Sequence, residues 1–424
     1  MPNRVLSVLI LMIGFTLIWP GQGTMYANEH HAVVSKTDEN KAFKRPTIDL
    51  APSARAALLM DMDTGTVLFE KNADAPLPPA SITKIMSLLL VMEALEKGQI
   101  SLDDPVVASE HAASMGGSQI FLKAGETMTV RDLLKAAAIA SANDATVALA
   151  EHTYGSEANF VERMNQRAKE LGMTHTHFVN PTGLPAENHL TSARDIAIMS
   201  RELLKHEMIL TFTGTYQDYL RQDTEKPFWL VNTNRLIRFY PGMDGLKTGY
   251  TSEARFGLSA TAKRDGFRLI AVVLGEPDTK TRNREVTAML DWGFAHYTNM
   301  VLYEKNTLLT WLQVEGGQHA FAPVYTGEKM SVLVEKGTPL EKPEVQLMLP
   351  KRIKAPLPKY AQVGTLRVNV ADQSLESPLI VNTEIPKADL GTIIKRTLYR
   401  AMFFEEEKPP QINSHSGEEK RTDP

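Results

Sequence analysis

Predicted strands stand at both ends of residues 47–298, and predicted helices fill the middle. Apolar runs at residues 56–62 and 66–69 flank Asp63-Thr64-Gly65, a pattern typical of a β-hairpin. Further strands are predicted at residues 229–232, 244–250, 256–264 and 268–274. Helices, most with capping residues at their starts, are predicted at residues 81–98, 130–140, 156–171, 192–204 and 280–297. This order predicts an α+β domain, with a helical block inserted into an antiparallel sheet and packed on it.

After residue 299 the chain consists of short alternating apolar and polar runs, separated by glycine, proline and charged residues. These runs cover residues 308–314, 320–324, 329–334, 345–349, 364–370 and 379–382. They predict a small all-β sandwich domain over residues 299–384. Because this region carries no arrangement of nucleophile and base, we expect it to support or position the first domain.

The N-terminus has the pattern of a secretory signal peptide over residues 1–27, with a positive start and an apolar run of about fifteen residues. This run is shorter than the roughly twenty residues that span a bilayer, and an uncleaved anchor is the alternative. In both cases we expect an exported protein on the outer face of the cytoplasmic membrane. Residues 28–46 are charged and lack apolar periodicity, which predicts a linker.

Near the C-terminus, residues 385–405 form a predicted basic amphipathic helix. Its apolar side chains include Leu390, Ile393, Ile394, Leu398 and Met402, and Lys395, Arg396 and Arg400 flank them. Such a helix is suited to lie on an anionic membrane surface, and packing on the protein's own body is the competing interpretation. Residues 406–424 are polar and predict a disordered tail.

Composition excludes several classes of function. The 424 residues carry a formal net charge of −4, which argues against a nucleic-acid-binding protein, since these normally have a basic excess. The chain contains no cysteine. Disulfides, thiolate catalysis and cysteine metal sites are therefore ruled out.

The first candidate for chemistry is the stretch from Pro78 to Leu90, in which two prolines precede an apolar helix pattern. Ser81 is predicted in the first turn of this helix, where free N–H groups and the helix dipole favour negative charge. Lys84 follows three residues later, on the same face. A lysine held against an apolar face loses its proton more easily, as the base for a serine nucleophile must.

Two further short patterns follow in the chain. Ser141-Ala142-Asn143 lies where the alanine-rich helix ends, and Lys247-Thr248-Gly249 lies on a predicted strand. Each pattern alone is weak evidence for a catalytic site. Together with Ser81-x-x-Lys84, in this order and in these secondary-structure contexts, they match the set found in penicillin-binding proteins and class A β-lactamases.

The residue types suit acyl transfer by a serine. Ser141 can relay a proton between Lys84 and the leaving amine, and the Asn143 amide can hold the substrate backbone and position the lysine. Lys247 and Thr248 can bind a substrate carboxylate. Backbone N–H groups of Ser81 and Tyr250 are expected to stabilise the oxyanion.

The sequence resembles low-molecular-mass penicillin-binding proteins that act as serine-type D-alanyl-D-alanine carboxypeptidases. The resemblance extends over nearly the whole chain. Its motifs are Asp61-Met62-Asp63-Thr64-Gly65, Pro79-Ala80-Ser81-Ile82-Thr83-Lys84, Asn180-Pro181-Thr182-Gly183-Leu184 and Asp244-Gly245-Leu246-Lys247-Thr248-Gly249. It implies removal of the terminal D-alanine from peptidoglycan stem pentapeptides on the cell-wall side of the membrane, and acylation of Ser81 by β-lactams. No cofactor or metal is expected.

The resemblance also implies an arginine beyond the Lys-Thr-Gly strand that helps to bind the terminal carboxylate. Arg282 best matches this place; Arg284, or a plain surface role for either arginine, is the alternative. Tyr250 stands where other members carry histidine. Because the expected contact comes from its backbone, this departure affects fine specificity rather than the reaction.

Three other functions remain as alternatives. A β-lactamase shares the same residues, but no convincing match to its added glutamate motif lies between Ser141 and Lys247. A metal hydrolase would need ligands such as His175, His177 and His189, or His30 and His31, whose spacing fits no recognisable zinc frame. A non-catalytic penicillin-sensing wall protein is the third alternative, although all three motifs are intact.

Overall fold

The structure is a computed structural model that describes residues 49–339, 342–370, 373–403 and 409–410. The predicted signal peptide, residues 1–27, and the predicted linker, residues 28–46, lie outside this part of the chain. The same holds for the predicted tail, residues 406–424, apart from residues 409–410.

The described residues form strands and helices that we number in chain order. The strands are β1 Ala56–Asp61, β2 Val67–Lys71, β3 Pro105–Val107, β4 Thr127–Thr129, β5 Gln217–Leu220, β6 Phe228–Val231, β7 Met243–Thr251, β8 Arg255–Arg264, β9 Phe267–Glu276, β10 Tyr297–Tyr303, β11 Leu308–Glu315, β12 Phe321–Thr326, β13 Met330–Glu335, β14 Glu344–Met348, β15 Arg352–Lys354, β16 Gln362–Val370 and β17 Gln373–Ile380. The helices are α1 Lys84–Glu96, α2 Glu110–Ala113, α3 Val130–Ile139, α4 Asn143–Tyr154, α5 Glu157–Glu170, α6 Ala193–Leu204, α7 Ile209–Thr213, α8 Leu236–Phe239, α9 Thr279–His296 and α10 Leu390–Phe403.

A five-stranded antiparallel sheet supports the first domain, with strand order β2-β1-β9-β8-β7. Strands β1 and β2 form the predicted hairpin. Its turn contains Gly65 at φ +76°, a conformation that glycine adopts without a steric penalty. Because β7 is at the edge of the sheet, its outer side is available for an extended ligand to lie against.

The helices inserted between β2 and β7 cover one face of this sheet. Helix α1 is buried along almost its whole length, and the alanine-rich helices α3 and α4 pack against it. Thr129, Ser156 and Ser192 cap α3, α5 and α6 by accepting backbone N–H groups. These caps confirm the predicted starts of three helices.

Helix α9 covers the opposite face. Its side chains Val286, Met289 and Leu290 pack into a core cluster with Leu59 and Val273 of the sheet. The first domain is therefore a sheet between two helical layers, and the predicted α+β class is confirmed.

The last described region contains the expected all-β domain. A six-stranded sheet in the order β14-β16-β17-β12-β11-β15 and the separate pair β10-β13 enclose a core that includes Val324, Val332 and Leu366. Sequence reasoning missed β10, the short β15 and most of β17, of which the predicted run at residues 379–382 covers only the last two residues. Because β10 starts at Tyr297, the strand begins at the residue where a helix was predicted to end.

Polar contacts join this domain to the β1-β2 turn. Asp63 Oδ2 accepts from Lys329 Nζ at 2.6 Å and from Ser331 Oγ at 3.2 Å. Asn299 Nδ2 donates to the buried carboxylate of Asp61 at 2.9 Å. The Asp-Met-Asp-Thr-Gly motif thus forms both a hairpin turn and the contact between the two domains.

Helix α10 starts at Leu390, later than the predicted boundary at residue 385. The difference arises because Ile385 forms a β-bridge with Leu357. Arg396 donates to the carbonyl oxygens of Gly317 and Gln318, at 2.7 and 2.9 Å. In the described part of the chain, each helix is too short or too polar to cross a membrane.

Candidate active site

Ser81 lies in a 3-10 turn, Ala80–Thr83, which precedes α1. The expected location in the first turn of the α-helix is therefore slightly wrong. Ala80 has φ +50°, and the tighter 3-10 geometry brings the chain from the two prolines into α1. Lys84 is the first residue of α1, and its Nζ lies 3.2 Å from Ser81 Oγ.

The Lys84 side chain is fully buried, and burial lowers its pKa well below the usual value. The charge of Lys247 lowers this pKa further, whereas Asp144 acts in the opposite direction. Lys84 Nζ donates to Asn143 Oδ1 at 2.6 Å and to the carbonyl oxygen of Thr182 at 2.7 Å. The amine is thus held in one position, beside the hydroxyl of Ser81.

Ser141 and Asn143 lie at the junction of α3 and α4. Ser141 is buried at φ +63°, a conformation that costs energy for a residue other than glycine. The Asn143 side chain, besides contacting Lys84, donates from Nδ2 to the Gly116 carbonyl at 2.7 Å. Its backbone N–H donates to the Ser118 carbonyl at 2.6 Å. Asn143 therefore connects the loop at residues 116–118 to the lysine.

Lys247 and Thr248 lie on the edge strand β7. Lys247 is 1% exposed, and burial together with the charge of Arg282 lowers its pKa to about 7. Thr248 Oγ1 donates to Thr233 Oγ1 at 2.7 Å. Since the charge of Lys247 also acts on Lys84, the structure brings the two predicted lysines to the same cleft.

Arg282 is 4% exposed in the first turn of α9, and burial lowers its pKa to about 10. It donates to the Asn283 side chain, and its charge acts on Lys247. The Arg284 side chain is 63% exposed and lies 3.7 Å from Glu285. Of the two candidate arginines, the structure brings Arg282 to the cleft.

Strand β7 passes very close to the turn that carries Ser81. A Cβ on Gly249 would lie 2.7 Å from the Pro79 carbonyl oxygen and 3.2 Å from the Ala80 Cβ. Only a residue without a side chain allows this approach. The next residue, Tyr250, has a 58% exposed side chain that packs against the Phe256 ring. The backbone of Tyr250 is thus placed beside Ser81 while its side chain lies in solvent.

Sequence reasoning missed several residues of the site. Thr182 and Gly183 belong to a motif that the resemblance includes, but their contacts with Lys84 and the Ser81 turn were not inferred. Asp144 was also missed; its carboxylate accepts the backbone N–H groups of Ile120 and Leu122 and holds the loop beside Asn143. The Gly116-Gly117 pair was the available signal, since a Cβ on Gly117 would lie 2.8 Å from Asn143 Nδ2.

His30 and His31, two of the histidines considered as zinc ligands, lie outside the described residues, and the other three have other contacts. His189 is buried; its Nε2 is 2.8 Å from Thr83 Oγ1, and its Nδ1 accepts the Val179 N–H. His177 contacts the Asn188 carbonyl, and His175 lies 4.0 Å from Asp74. Among the residues that the structure describes, no three His, Cys, Asp or Glu side chains converge as a metal site.

Comparison with known families agrees with this geometry. A family model described as D-alanyl-D-alanine carboxypeptidase matches residues 40–278. The chain belongs to this family. The C-terminal domain model of penicillin-binding protein 5 matches residues 297–387, the region of the all-β domain.

Curated relatives carry the same name. The D-alanyl-D-alanine carboxypeptidase DacF of Bacillus subtilis is 51% identical over 353 residues, which cover 83% of this chain and 91% of DacF. DacC of Escherichia coli is 34% identical over 349 residues, 79% of this chain and 84% of DacC. The predicted serine-type D-alanyl-D-alanine carboxypeptidase activity is confirmed at the level of the family, and the β-lactamase and sensor alternatives are not favoured.

Solved structures share this fold. Penicillin-binding protein 5 from Haemophilus influenzae has a TM-score of 0.63 and 30% identity, and the match covers 82% of this chain and 100% of that chain. A single-residue mutant of the Streptomyces K15 DD-transpeptidase has a TM-score of 0.54 and 30% identity, with 59% of this chain and 100% of that chain covered. Penicillin-Binding Protein D2 from Listeria monocytogenes, in its ampicillin-bound form, is 33% identical with a TM-score of 0.52, over 57% of this chain and 98% of that chain.

The close contact at Gly183 predicts a strong effect of Gly183→Ala on activity. Gly183 has φ +82°, and an added Cβ would lie 1.8 Å from the Ala80 carbonyl oxygen, so the turn carrying Ser81 must move. We expect kcat/KM for a D-Ala-D-Ala peptide to fall by about 10²-fold or more, since displacements near 1 Å have effects of that size. Gly155→Ala is the matched control: its φ is +79°, but nothing lies within 4 Å of the added Cβ. Equal activity of the two variants would contradict this account.

Burial of Lys247 predicts a pH-dependent stability. Its pKa is about 7 in the folded protein and about 10.5 in the unfolded chain, so between these values the unfolded state binds more protons and stability rises with pH. Denaturant unfolding between about pH 8 and about pH 10 should show a steeper rise in the free energy of unfolding for the wild type than for Lys247→Met.

The control for this experiment is Lys226→Met. Lys226 is exposed in the loop between β5 and β6, so its side chain is in water in both states. This variant should keep the wild-type pH slope. The same slope in Lys247→Met would show that Lys247 stays protonated in the folded protein.

Proposed function

We propose that this enzyme removes the terminal D-alanine of peptidoglycan stem pentapeptides through an acyl-enzyme on Ser81. The observation that carries the proposal is the buried Lys84 amine, 3.2 Å from Ser81 Oγ. Burial favours the neutral amine, which can take a proton from a serine hydroxyl.

The contacts of Lys84 fit a neutral base. A neutral amine has two N–H donors and one lone pair. The carbonyl oxygens of Asn143 and Thr182, at 2.6 and 2.7 Å, accept two donors. The lone pair is then available to the Ser81 hydroxyl. Asn143 and Thr182 therefore act as positioning residues for the base.

In acylation, Ser81 Oγ attacks the carbonyl carbon between the two D-alanines, and its proton passes to Lys84. The backbone N–H groups of Ser81 and Tyr250 stabilise the oxyanion of the tetrahedral intermediate. When the intermediate collapses, the peptide bond breaks and the proton passes from Lys84, through the Ser141 hydroxyl, to the amine of the leaving D-alanine. Water then attacks the ester with Lys84 again as base, releasing the shortened peptide and restoring Ser81.

The end of the cleft that contains Lys247 and Arg282 is proposed to recognise the C-terminus of the substrate. We assign binding of the terminal carboxylate, a group that an internal peptide bond does not offer, to Lys247, Thr248 and Arg282. Burial lowers the pKa of both Lys247 and Arg282; the charge of Arg282 lowers the pKa of Lys247 further, whereas Glu276 raises that of Arg282. A substrate carboxylate supplies negative charge and favours the protonated form of Lys247. β-Lactams would acylate the same serine and so inhibit the enzyme.

Replacement of Ser81 tests this mechanism. We expect Ser81→Ala to release D-alanine from a peptide ending in D-Ala-D-Ala at least about 10³-fold more slowly than wild type, because the covalent route is lost. Mass spectrometry of the wild type with benzylpenicillin should place one adduct on Ser81. Ser101→Ala, at an exposed serine, is the control and should retain both properties. An adduct on another residue would refute the assignment.

We also propose that the chain is exported and that α10 lies on an anionic membrane surface. The signal-peptide pattern of residues 1–27 supports export. The helix presents an exposed apolar face, formed by Leu390 (74% exposed), Ile393 (48%), Ile394 (50%), Leu398 (57%) and Met402 (69%). Lys395 is exposed beside this face, and Arg396 connects the helix to the all-β domain. This combination is typical of helices that lie in the membrane interface.

A vesicle experiment tests the role of α10. The full-length protein should sediment with vesicles that contain phosphatidylglycerol, and Ile394→Asp with Leu398→Asp should abolish sedimentation by placing charge on the apolar face. Thr392→Asp introduces one such charge on the opposite side of the helix and should retain most of the binding. Equal binding of the three proteins would exclude α10 as the membrane contact.

A further inference from the structure

A cavity of about 540 Å³ adjoins the turn that carries Ser81. One wall is formed by Pro78, Pro79 and Ala80, immediately before the nucleophile. The loop of residues 183–190 forms a second wall, and Thr251 and Glu253, at and beyond the end of β7, form a third. The cavity therefore borders the residues that immediately precede Ser81, and its place along β7 decides which part of a substrate can enter it.

The direction of the substrate along β7 follows from the proposed function. The terminal carboxylate lies at Lys247 and Thr248, and the reacting carbonyl lies at the N–H of Tyr250. Each further residue of an extended peptide advances about 3.3 Å. The residue before the D-Ala-D-Ala unit then lies near Thr251, on the side where the cavity opens. This is the third residue of the stem peptide.

The loop that forms the second wall is held in place by the rest of the fold. Leu77 and Thr191 exchange backbone hydrogen bonds of 2.8 and 2.9 Å at its base. Asn180 Nδ2 donates to the Leu184 carbonyl at 2.9 Å, and His189 Nε2 forms a hydrogen bond with Thr83 Oγ1. A cavity with such walls is preformed, as ligand sites usually are.

The charges in the cavity have one sign. Glu187 and Glu253 line it with exposed carboxylates, and neither has a hydrogen-bond or ion-pair partner in the described part of the chain. The lining contains no lysine or arginine. Burial lowers the pKa of His189 to about 4, so this histidine is neutral near pH 7. Pro185, Ala186 and the residues before Ser81 supply apolar walls.

We propose that this cavity is the subsite for the side chain of the third stem residue and that it favours a methylene chain ending in a free ammonium group. The inference rests on the proposed function, because that function sets the direction of the substrate. The apolar walls contact the methylene groups, and Glu187 and Glu253 attract the ammonium. The preferred substrates are stem peptides whose third residue is a diamino acid with an unmodified side-chain amine.

Two synthetic peptides test the subsite on the full-length enzyme. Nα-acetyl-L-Lys-D-Ala-D-Ala keeps the free side-chain amine, and Nα,Nε-diacetyl-L-Lys-D-Ala-D-Ala lacks its charge. We expect kcat/KM of the wild type to be about fivefold higher for the free amine, the range of an ion pair with exposed carboxylates. The ratio should fall as salt concentration rises, since salt screens exposed charges.

Variants of the two glutamates test whether the cavity causes the preference for the free amine. Glu187→Gln combined with Glu253→Gln should bring the ratio of the two kcat/KM values close to one, because both charges are removed with little change in shape. Glu328→Gln, at an exposed position in the all-β domain, should keep the wild-type ratio. Circular dichroism of each variant verifies the fold.

The outcomes separate the two proposals. Hydrolysis of both peptides with equal kcat/KM by the wild type would overturn the subsite and leave the proposed function intact. A preference that survives in the double glutamine variant would likewise overturn it. Hydrolysis of neither peptide would overturn the proposed function and the subsite with it.

Discussion

The burial of the Lys84 amine beside Ser81 is the interaction on which the rest of the site depends. A lysine in water is protonated and cannot act as a base, so the fold must remove this side chain from solvent. Helices α1, α3 and α4 pack around it, and the acceptors Asn143 and Thr182 come from two other parts of the chain. The compact helical block is therefore a requirement of the chemistry as well as the core of the domain.

This arrangement places the side chains of two lysines and one arginine, Lys84, Lys247 and Arg282, in one cleft. Burial lowers the pKa of each, and a neighbouring positive charge lowers it further for the two lysines. Such a site opposes folding, and the apolar cores on both faces of the sheet must offset the cost. The same imbalance favours binding of a C-terminal carboxylate, because the ligand supplies the missing negative charge. The same buried basic groups thus serve both carboxylate binding and the acyl-transfer chemistry.

Close backbone approaches set the geometry around these charges. Gly183 and Gly249 allow a loop and an edge strand to touch the turn of Ser81 from two sides. The loop that begins at Gly183 also forms a wall of the cavity beside the site. A short set of glycine contacts therefore fixes the nucleophile, the proposed oxyanion donors and the subsite relative to one another. The all-β domain is connected farther away, through Asp63 at the β1-β2 turn.

Local interactions explain what the sequence determined by itself. Helix caps at Thr129, Ser156 and Ser192 and the alternation within each strand act over a few residues, so they predicted the fold class without coordinates. Each of the three motifs is also short, and their order along the chain identified the family. The tertiary structure decided which distant groups meet. Thr182 contacts Lys84 across 98 residues of chain, Arg282 rather than Arg284 lies in the cleft, and Glu187 shares a cavity with Glu253. No local pattern encodes these contacts, because they depend on how whole layers pack.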